Sequence, residues 1–169
     1  LFRSLDGLKV AINVAPSQFR DPACGASVAA MLKHCDIAPD MLTLEVTESA
    51  LTQAGAECDA RLAGFKASGL GLALDDFGTG YASLSNLKRY PFDALKIDAH
   101  FIRDVVASGH DAAMCKTLIA MAHHLGMKVV AEGVETEAQC DFLRRNMCDL
   151  IQGYFFSPPL AADQVRHLL

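Results

Sequence analysis

The sequence predicts an α/β fold built on a parallel sheet, and three observations carry that expectation. Short apolar runs that read as strands alternate with segments of helical period. The strand-like runs are apolar along most of their length, as strands covered on both faces are. Six such units follow one another with short connections. Two architectures stay open at this point: an open doubly wound sheet, and a β/α barrel, for which six units is two short of the usual eight.

The first expected strand is Val10–Val14 (VAINV). Asp21-Pro22 then reads as a helix start, an Asx N-cap followed by proline at the first helical position. Val28, Leu32 and Cys35 give that helix an apolar stripe. Leu42–Thr47 (LTLEVT) is the second strand, and the helix after it carries Cys58, Leu62 and Phe65 on one face with Gly69 closing its end. Residues 70–77 are the third strand, and a loop-helix containing Tyr81, Leu84 and Leu87 leads to Pro91. Residues 94–98 are the fourth. After residues 101–106 the plainest helix keeps its period through Cys115, Leu118, Ile119, Ala122 and Leu125 until Gly126 stops it. Residues 128–134 are the fifth strand, Thr136-x-x-Gln139 is a capping box opening the next helix, and residues 150–153 are the sixth strand. A Pro-Pro loop and a terminal amphipathic piece follow.

A chain of 169 residues, half of them hydrophobic, makes about one domain with a real core. Its net charge of −5, with no Lys/Arg cluster, argues against a nucleic-acid polymer as partner. An anionic substrate therefore needs a metal or a few placed cations. The six cysteines form no C-x-x-C pair; they read as reduced thiols of a cytoplasmic protein. No run of 18 apolar residues exists, so no membrane segment is expected in this stretch. The start lacks an initiator Met and runs straight into a strand, which suggests a cut inside a longer chain.

Each expected strand carries polar residues near its C-terminal end: Asn13; Glu45, with Glu48 three later; Asp75 and Asp76; Lys96 with Asp98; Glu132 with Glu135; and Gln152. In a parallel barrel those ends share one rim, where active sites are built. Singly, each has an ordinary structural use, as a cap, a loop bond or a snorkelling stem. Six in register point to a shared site. Asp75 and Asp76 are adjacent, and two like charges about 4 Å apart at an effective dielectric of about 20 repel by roughly 4 kcal/mol unless a cation or a proton intervenes. An Asn carbonyl with several carboxylates is an all-oxygen donor set suited to Mg²⁺ or Mn²⁺ rather than zinc. Two adjacent aspartates can serve two cations, the arrangement used for in-line phosphoester hydrolysis, with Lys96 placed to offset phosphate charge or hold water and a glutamate to take its proton. His100, His123 and His124 fall in or beside helices and read as surface residues. Gly78-Thr79-Gly80 lacks the third glycine of a dinucleotide loop, and Asp76-Phe77-Gly78 lacks the H-R-D partner of a kinase.

The stretches LEVTES (44–49), DDFGTGYASL (75–84), LKID (95–98), VVAEGVET (129–136) and QGYFFSPPL (152–160), with NVAPSQF (13–19), resemble the EAL-domain family, the cyclic-di-GMP-specific phosphodiesterases of bacterial signalling. The resemblance covers essentially the whole chain in the family's order and spacing. It implies a modified TIM-like β/α barrel, with about six of eight units present, that hydrolyses cyclic di-GMP to linear pGpG. Asn13, Glu45 and Asp75 match metal-ligand positions and Asp76 a ligand of a second metal, implying two Mg²⁺ or Mn²⁺ ions. Lys96 matches the lysine beside the nucleophilic water. Glu132 matches a glutamate described both as general base and as metal ligand. Glu48 matches the residue that steadies the loop of Phe77, Gly78, Thr79 and Gly80. Glu135, on the catalytic side, and Asp98 and Gln152, on the substrate side, match supporting positions.

The E-A-L motif itself is absent from the sequence. The resemblance places its metal-binding glutamate, and an arginine that grips substrate phosphate, before residue 1. Residues 1–169 are therefore expected to be a partial domain, with activity belonging to the parent and the isolated stretch open to being inactive. The implied partners are cyclic di-GMP, a second copy in a homodimer, and a sensor or diguanylate-cyclase-like domain in a parent chain that an upstream region could anchor to a membrane. A non-catalytic cyclic-di-GMP receptor is the competing function and a scaffold that neither binds nor cleaves the third. The intact Asp75-Asp76 pair, Lys96 and the 131–135 stretch favour the enzyme.

Overall fold

In the computed structural model, which describes residues 8–78 and 84–165, six parallel strands pair in the order in which they occur. They are β1 (Val10–Val14), β2 (Leu42–Thr47), β3 (Gly71–Phe77), β4 (Ala94–Ile97), β5 (Lys128–Ala131) and β6 (Leu150–Ile151). That order decides between the two architectures. A doubly wound sheet reverses its strand order at a switch point, whereas here each strand lies beside its predecessor throughout. With right-handed crossovers, helices then fall on one face and the sheet curls as an arc of a β/α barrel.

The helices are α1 (Pro16–Arg20), α2 (Cys24–Cys35), α3 (Glu48–Ala54), α4 (Cys58–Ala67), α5 (Leu84–Arg89), α6 (Ala99–Arg103), α7 (Gly109–His124), α8 (Glu137–Arg145) and α9 (Ala162–Val165). Strand side chains alternate between two environments. Leu44, Leu72, Leu95, Ile97 and Val129 are fully buried in the core with Leu62 of α4 and Cys115 and Ala122 of α7. Each buried leucine contributes about 1.5–3 kcal/mol relative to exposure, so the core sits between sheet and helices. Their alternates Thr43, Glu45, Ala73, Ala94, Lys96 and Val130 line a cavity of about 710 Å³ on the concave face.

Two aspartates at the starting ends of the strands set the axial register of the rim. Asp93 Oδ2 accepts the Leu72 N–H at 2.8 Å and ion-pairs with Lys66. Asp149 Oδ2 accepts the Val129 N–H at 2.8 Å and bonds His123 Nε2 at 2.8 Å. Each immediately precedes a strand, and each stands three residues before a rim residue, Lys96 or Gln152. Burial raises the Asp149 carboxyl, but the His123 ring and the Val129 N–H outweigh it and hold it below the usual carboxylate value.

Most expected elements are present, with three corrections. Strands β4, β5 and β6 end one to three residues earlier than expected, although Glu132 N–H still donates to Ile97 O and Gln152 N–H to Ala131 O just beyond them. Asp21 does not open a helix: it closes α1, which Pro16 starts, and its Oδ1 accepts the Ala23 N–H in a local turn, so α2 begins at Cys24. The α2 stripe is narrower than expected, with Leu32 buried, Val28 half-buried and Cys35 exposed. The capping box of Thr136 and Gln139 is present at α8, and Gly69 (φ 83°) follows the end of α4 as its left-handed cap. All six cysteines are free. Among the described residues, no helix is long and apolar enough to cross a membrane. The expected loop positions Thr79, Gly80 and Tyr81 lie outside the described residues.

Candidate active site

The register of the sheet assembles the rim. Asn13 on β1 stands opposite Glu45 on β2, and Thr47, two residues beyond Glu45, stands opposite Asp75 on β3. Between β3 and β4 the register slips: Leu74 pairs with Leu95 but Phe77 with Ile97, so β3 holds one extra residue there. In a regular strand Asp75 and Asp76 would point to opposite faces. The bulge, with Asp76 in the left-handed region at φ 55°, lets both contribute to one cluster. One carboxylate oxygen each from Asp75, Asp76 and Glu132 lie within 4.8 Å of one another.

Lys96 is the hub of this cluster. Its Nζ lies 2.7 Å from Glu45 Oε2, 2.7 Å from Glu132 Oε1 and 3.1 Å from Asp75 Oδ1, and its side chain is only 4% exposed. Burial opposes the ammonium, but its bonds to Glu132 and Glu45 and the charge of Asp75 outweigh that and hold its pKa well above the ordinary lysine value. For Glu132, burial raises the carboxyl; Lys96 pulls it down, Asp75 and Glu45 push it up, and the net is upward. Asp76 is likewise raised, by burial first and then by the charges of Asp75 and Asp98, against Lys96. Four carboxylates thus face one ammonium, a negative excess that a divalent cation would relieve. The all-oxygen donors of Asp75, Asp76 and Glu132 fit a hard cation such as Mg²⁺, Mn²⁺ or Ca²⁺.

The loops behind these carboxylates are packed backbone to backbone. Glu132 N–H donates to Ile97 O at 3.1 Å and Val134 N–H to Gln152 O at 3.1 Å, while Phe155 N–H returns to Val134 O at 2.9 Å. Gly133, at φ 67°, has no room for a side chain, since a Cβ there would come 2.5 Å from Ala99 Cβ. Helix α6 therefore sits directly against the loop that carries Glu132. Its Phe101 ring also underlies Gly78, where a Cβ would approach to 2.9 Å.

Of the sequence-predicted residues, the structure gathers Glu45, Asp75, Asp76, Lys96 and Glu132. Asn13 is exposed beside Glu45 on β1. Glu48 is buried in the first turn of α3, capped by Thr47, where a carboxylate suits the helix dipole. Asp98 caps α6, accepting from His100 N–H at 2.8 Å and bonding His100 Nδ1 at 2.7 Å. Glu135 and Gln152 are exposed on the rim. Phe77 is buried and Gly78 adopts φ 94°. Sequence reasoning missed Gln139 as more than a cap, and the close approaches at Gly133 and Gly153, where a Cβ would meet the Val134 backbone. The glycines beside rim residues, Glu132-Gly133 and Gln152-Gly153, were the available signal.

Known proteins are similar to this chain in sequence and fold. Cyclic di-GMP phosphodiesterase NbdA of Pseudomonas aeruginosa is 46% identical over 162 residues, covering 96% of this chain and 21% of NbdA. The solved PaMucR phosphodiesterase, in complex with c-di-GMP, superposes with a TM-score of 0.88 at 40% identity, covering 93% of this chain and 64% of that one. Klebsiella pneumoniae BlrP1, solved with manganese and cyclic di-GMP, matches with a TM-score of 0.82 at 35% identity, covering 89% of this chain and 39% of that one. This chain thus spans about a fifth of the curated relative. The EAL domain model matches residues 2–159, and the chain belongs to the EAL domain family.

Proposed function

We propose that this chain carries the hydrolytic rim of a metal-dependent phosphodiesterase that opens cyclic di-GMP to linear pGpG. The observation that carries this reading is Lys96 within 3.1 Å of three carboxylates from separate β/α units, beside Asp76. Asn13, Glu45, Asp75, Asp76 and Glu132 are the residues that would hold Mg²⁺ or Mn²⁺, two ions in the full site. Such ions, when bound, neutralise phosphate charge and acidify water. BlrP1, solved with manganese and cyclic di-GMP, supports that choice.

Glu132 accepts a proton from the attacking water; its carboxyl, raised by burial and by neighbouring carboxylates, is the better matched to that task near neutrality. Lys96 holds that water and offsets charge on the phosphate. A water oxygen–phosphorus bond forms, the bond from phosphorus to one ribose 3′-oxygen breaks, and that oxygen leaves with a proton, giving the 5′-phosphate of pGpG. Glu48 steadies the loop that begins at Phe77 and Gly78, Asp98 and Gln152 support the substrate side, and Glu135 backs Glu132 across the same rim loop. This chain's 21% share of NbdA supports a longer parent protein, for which we propose accompanying sensor or cyclase-like domains and pairing as a homodimer. The test is incubation of the full protein with cyclic di-GMP and Mg²⁺ or Mn²⁺, followed by chromatography. Appearance of pGpG supports the enzyme; binding without turnover replaces it with a receptor.

A further inference from the structure

Gln139 is the one buried uncharged polar side chain among the described residues, 7% exposed within α8. Its amide is fully used. Oε1 accepts the N–H of Glu135 at 2.8 Å and of Thr136 at 3.0 Å. Nε2 donates to the carbonyl oxygens of Ile102 at 3.2 Å and Arg103 at 3.1 Å, the last turn of α6. Only the first half of this set is helix capping. The second half ties α8 to another β/α unit, and capping α8 does not need it.

What α6 touches gives the bridge its consequence. Ala99 packs on Gly133, next to Glu132, and Phe101 underlies Gly78, two residues from Asp76. Ile102, whose carbonyl Gln139 holds, is fully buried. The same short helix therefore backs both segments, the end of β3 and the loop after β5, from which the carboxylates of Asp75, Asp76 and Glu132 converge. We propose that Gln139 is a positioning residue of the rim: by bonding α6 and the 132–136 loop at once, it fixes Glu132 relative to the Asp75-Asp76 bulge. The inference rests on the phosphodiesterase reading for its kinetic consequence alone.

The test uses three variants of the full protein. Gln139→Glu keeps the acceptor half and sets a carboxylate against the Ile102 and Arg103 carbonyls; Gln139→Leu removes both halves. Thr136→Val deletes the hydroxyl that accepts the Gln139 N–H at 3.3 Å and leaves the amide bridge intact. Amide hydrogen exchange of Glu132 and Val134, and Mn²⁺ binding by calorimetry, are measured in each. In Gln139→Glu and Gln139→Leu both amides exchange faster while β1–β3 amides do not change, and Mn²⁺ affinity falls about tenfold or more, the usual cost of losing a partner that orients a ligand. Turnover of cyclic di-GMP falls in kcat with KM unchanged. Thr136→Val lowers thermal stability and leaves Mn²⁺ affinity and both amides as in the wild type. Wild-type exchange at Glu132 and Val134 in Gln139→Glu overturns the inference, as does Thr136→Val reproducing every effect. A wild-type protein that makes no pGpG overturns the function reading instead, and the exchange data still judge the bridge.

Discussion

Lys96 Nζ lies 2.7 Å from Glu132 Oε1, joining a side chain within β4 to one just past the end of β5. The pair is asymmetric in what its removal does. Glu132→Gln keeps an acceptor for Lys96 and takes one charge out of a crowded anionic cluster, so the variant folds. Loss of the proton acceptor lowers kcat by about 10²–10⁴-fold. Lys96→Met instead leaves buried Glu45 and Asp75 without their shared cation, costing about 3–5 kcal/mol in the metal-free protein, part of it recovered when Mn²⁺ is added. Urea melts with and without Mn²⁺, beside steady-state assays, check both. A Glu132→Gln protein with wild-type kcat removes Glu132 from its role.

Asp76 combines a left-handed backbone with a raised carboxyl pKa, two costs borne for the site. A carboxyl whose folded pKa is raised binds protons more readily folded than unfolded. Its favourable contribution is present below the unfolded value, about 3.9, and is lost as pH rises through the folded one. Asp76→Gly removes that loss and relieves the backbone. The metal-free variant therefore gains on wild type as the pH rises from 4 to 7. It binds Mn²⁺ more weakly and loses turnover. Denaturation at the two pH values decides it, and a stability difference that stays the same or moves against the variant between pH 4 and pH 7 refutes the account.

Gly133 pairs a φ of 67° with a Cβ position 2.5 Å from Ala99 Cβ. Gly133→Ala meets both obstacles, about 1–2 kcal/mol for the left-handed alanine and about 1–3 kcal/mol for overpacking. Ala99→Gly in the same molecule removes the 2.5 Å contact, leaving the Ala99 Cα at 3.2 Å, and leaves the first obstacle. A double-mutant cycle by thermal melts should show a coupling of about 1–3 kcal/mol between the two sites. Additivity within error would mean that α6 does not press on the loop carrying Glu132.

These residues mark where sequence reasoning stops. Alternating apolar runs and helical stripes located all six strands, because burial on both faces leaves a local trace in composition. Clustering of Glu45, Asp75, Lys96 and Glu132 was legible for the same reason: each occupies an equivalent place at the end of its strand. The bulge was not legible, since a strand read from sequence alternates by default, and Asp75-Asp76 looks the same with or without an extra residue. Asp21 misled because Asx-Pro serves a turn as well as a helix start, and Pro16 had already opened a helix five residues earlier. Gln139 showed its capping box, a contact three residues long, but not the bonds to Ile102 and Arg103, which depend on tertiary packing.

The starting ends of the strands supply a last prediction, independent of metal or substrate. Asp149 holds the Val129 N–H and the His123 ring through one oxygen, with its carboxyl below the usual value. A depressed carboxyl pKa gives stability that is present above the unfolded value, about 3.9, and is lost as pH falls through the folded one. Asp149→Asn retains an oxygen for the Val129 N–H and loses the charge. Wild type is thus the more stable protein at pH 7, and its advantage shrinks as the pH is taken below about 4. Phe92-Asp93 before β4 repeats the geometry, with the Leu72 N–H and Lys66 in place of the Val129 N–H and His123. Paired urea melts of wild type and Asp149→Asn at pH 7 and below pH 4 measure the difference. A gap that stays constant or widens on acidification would show that Asp149 acts through its backbone bond alone.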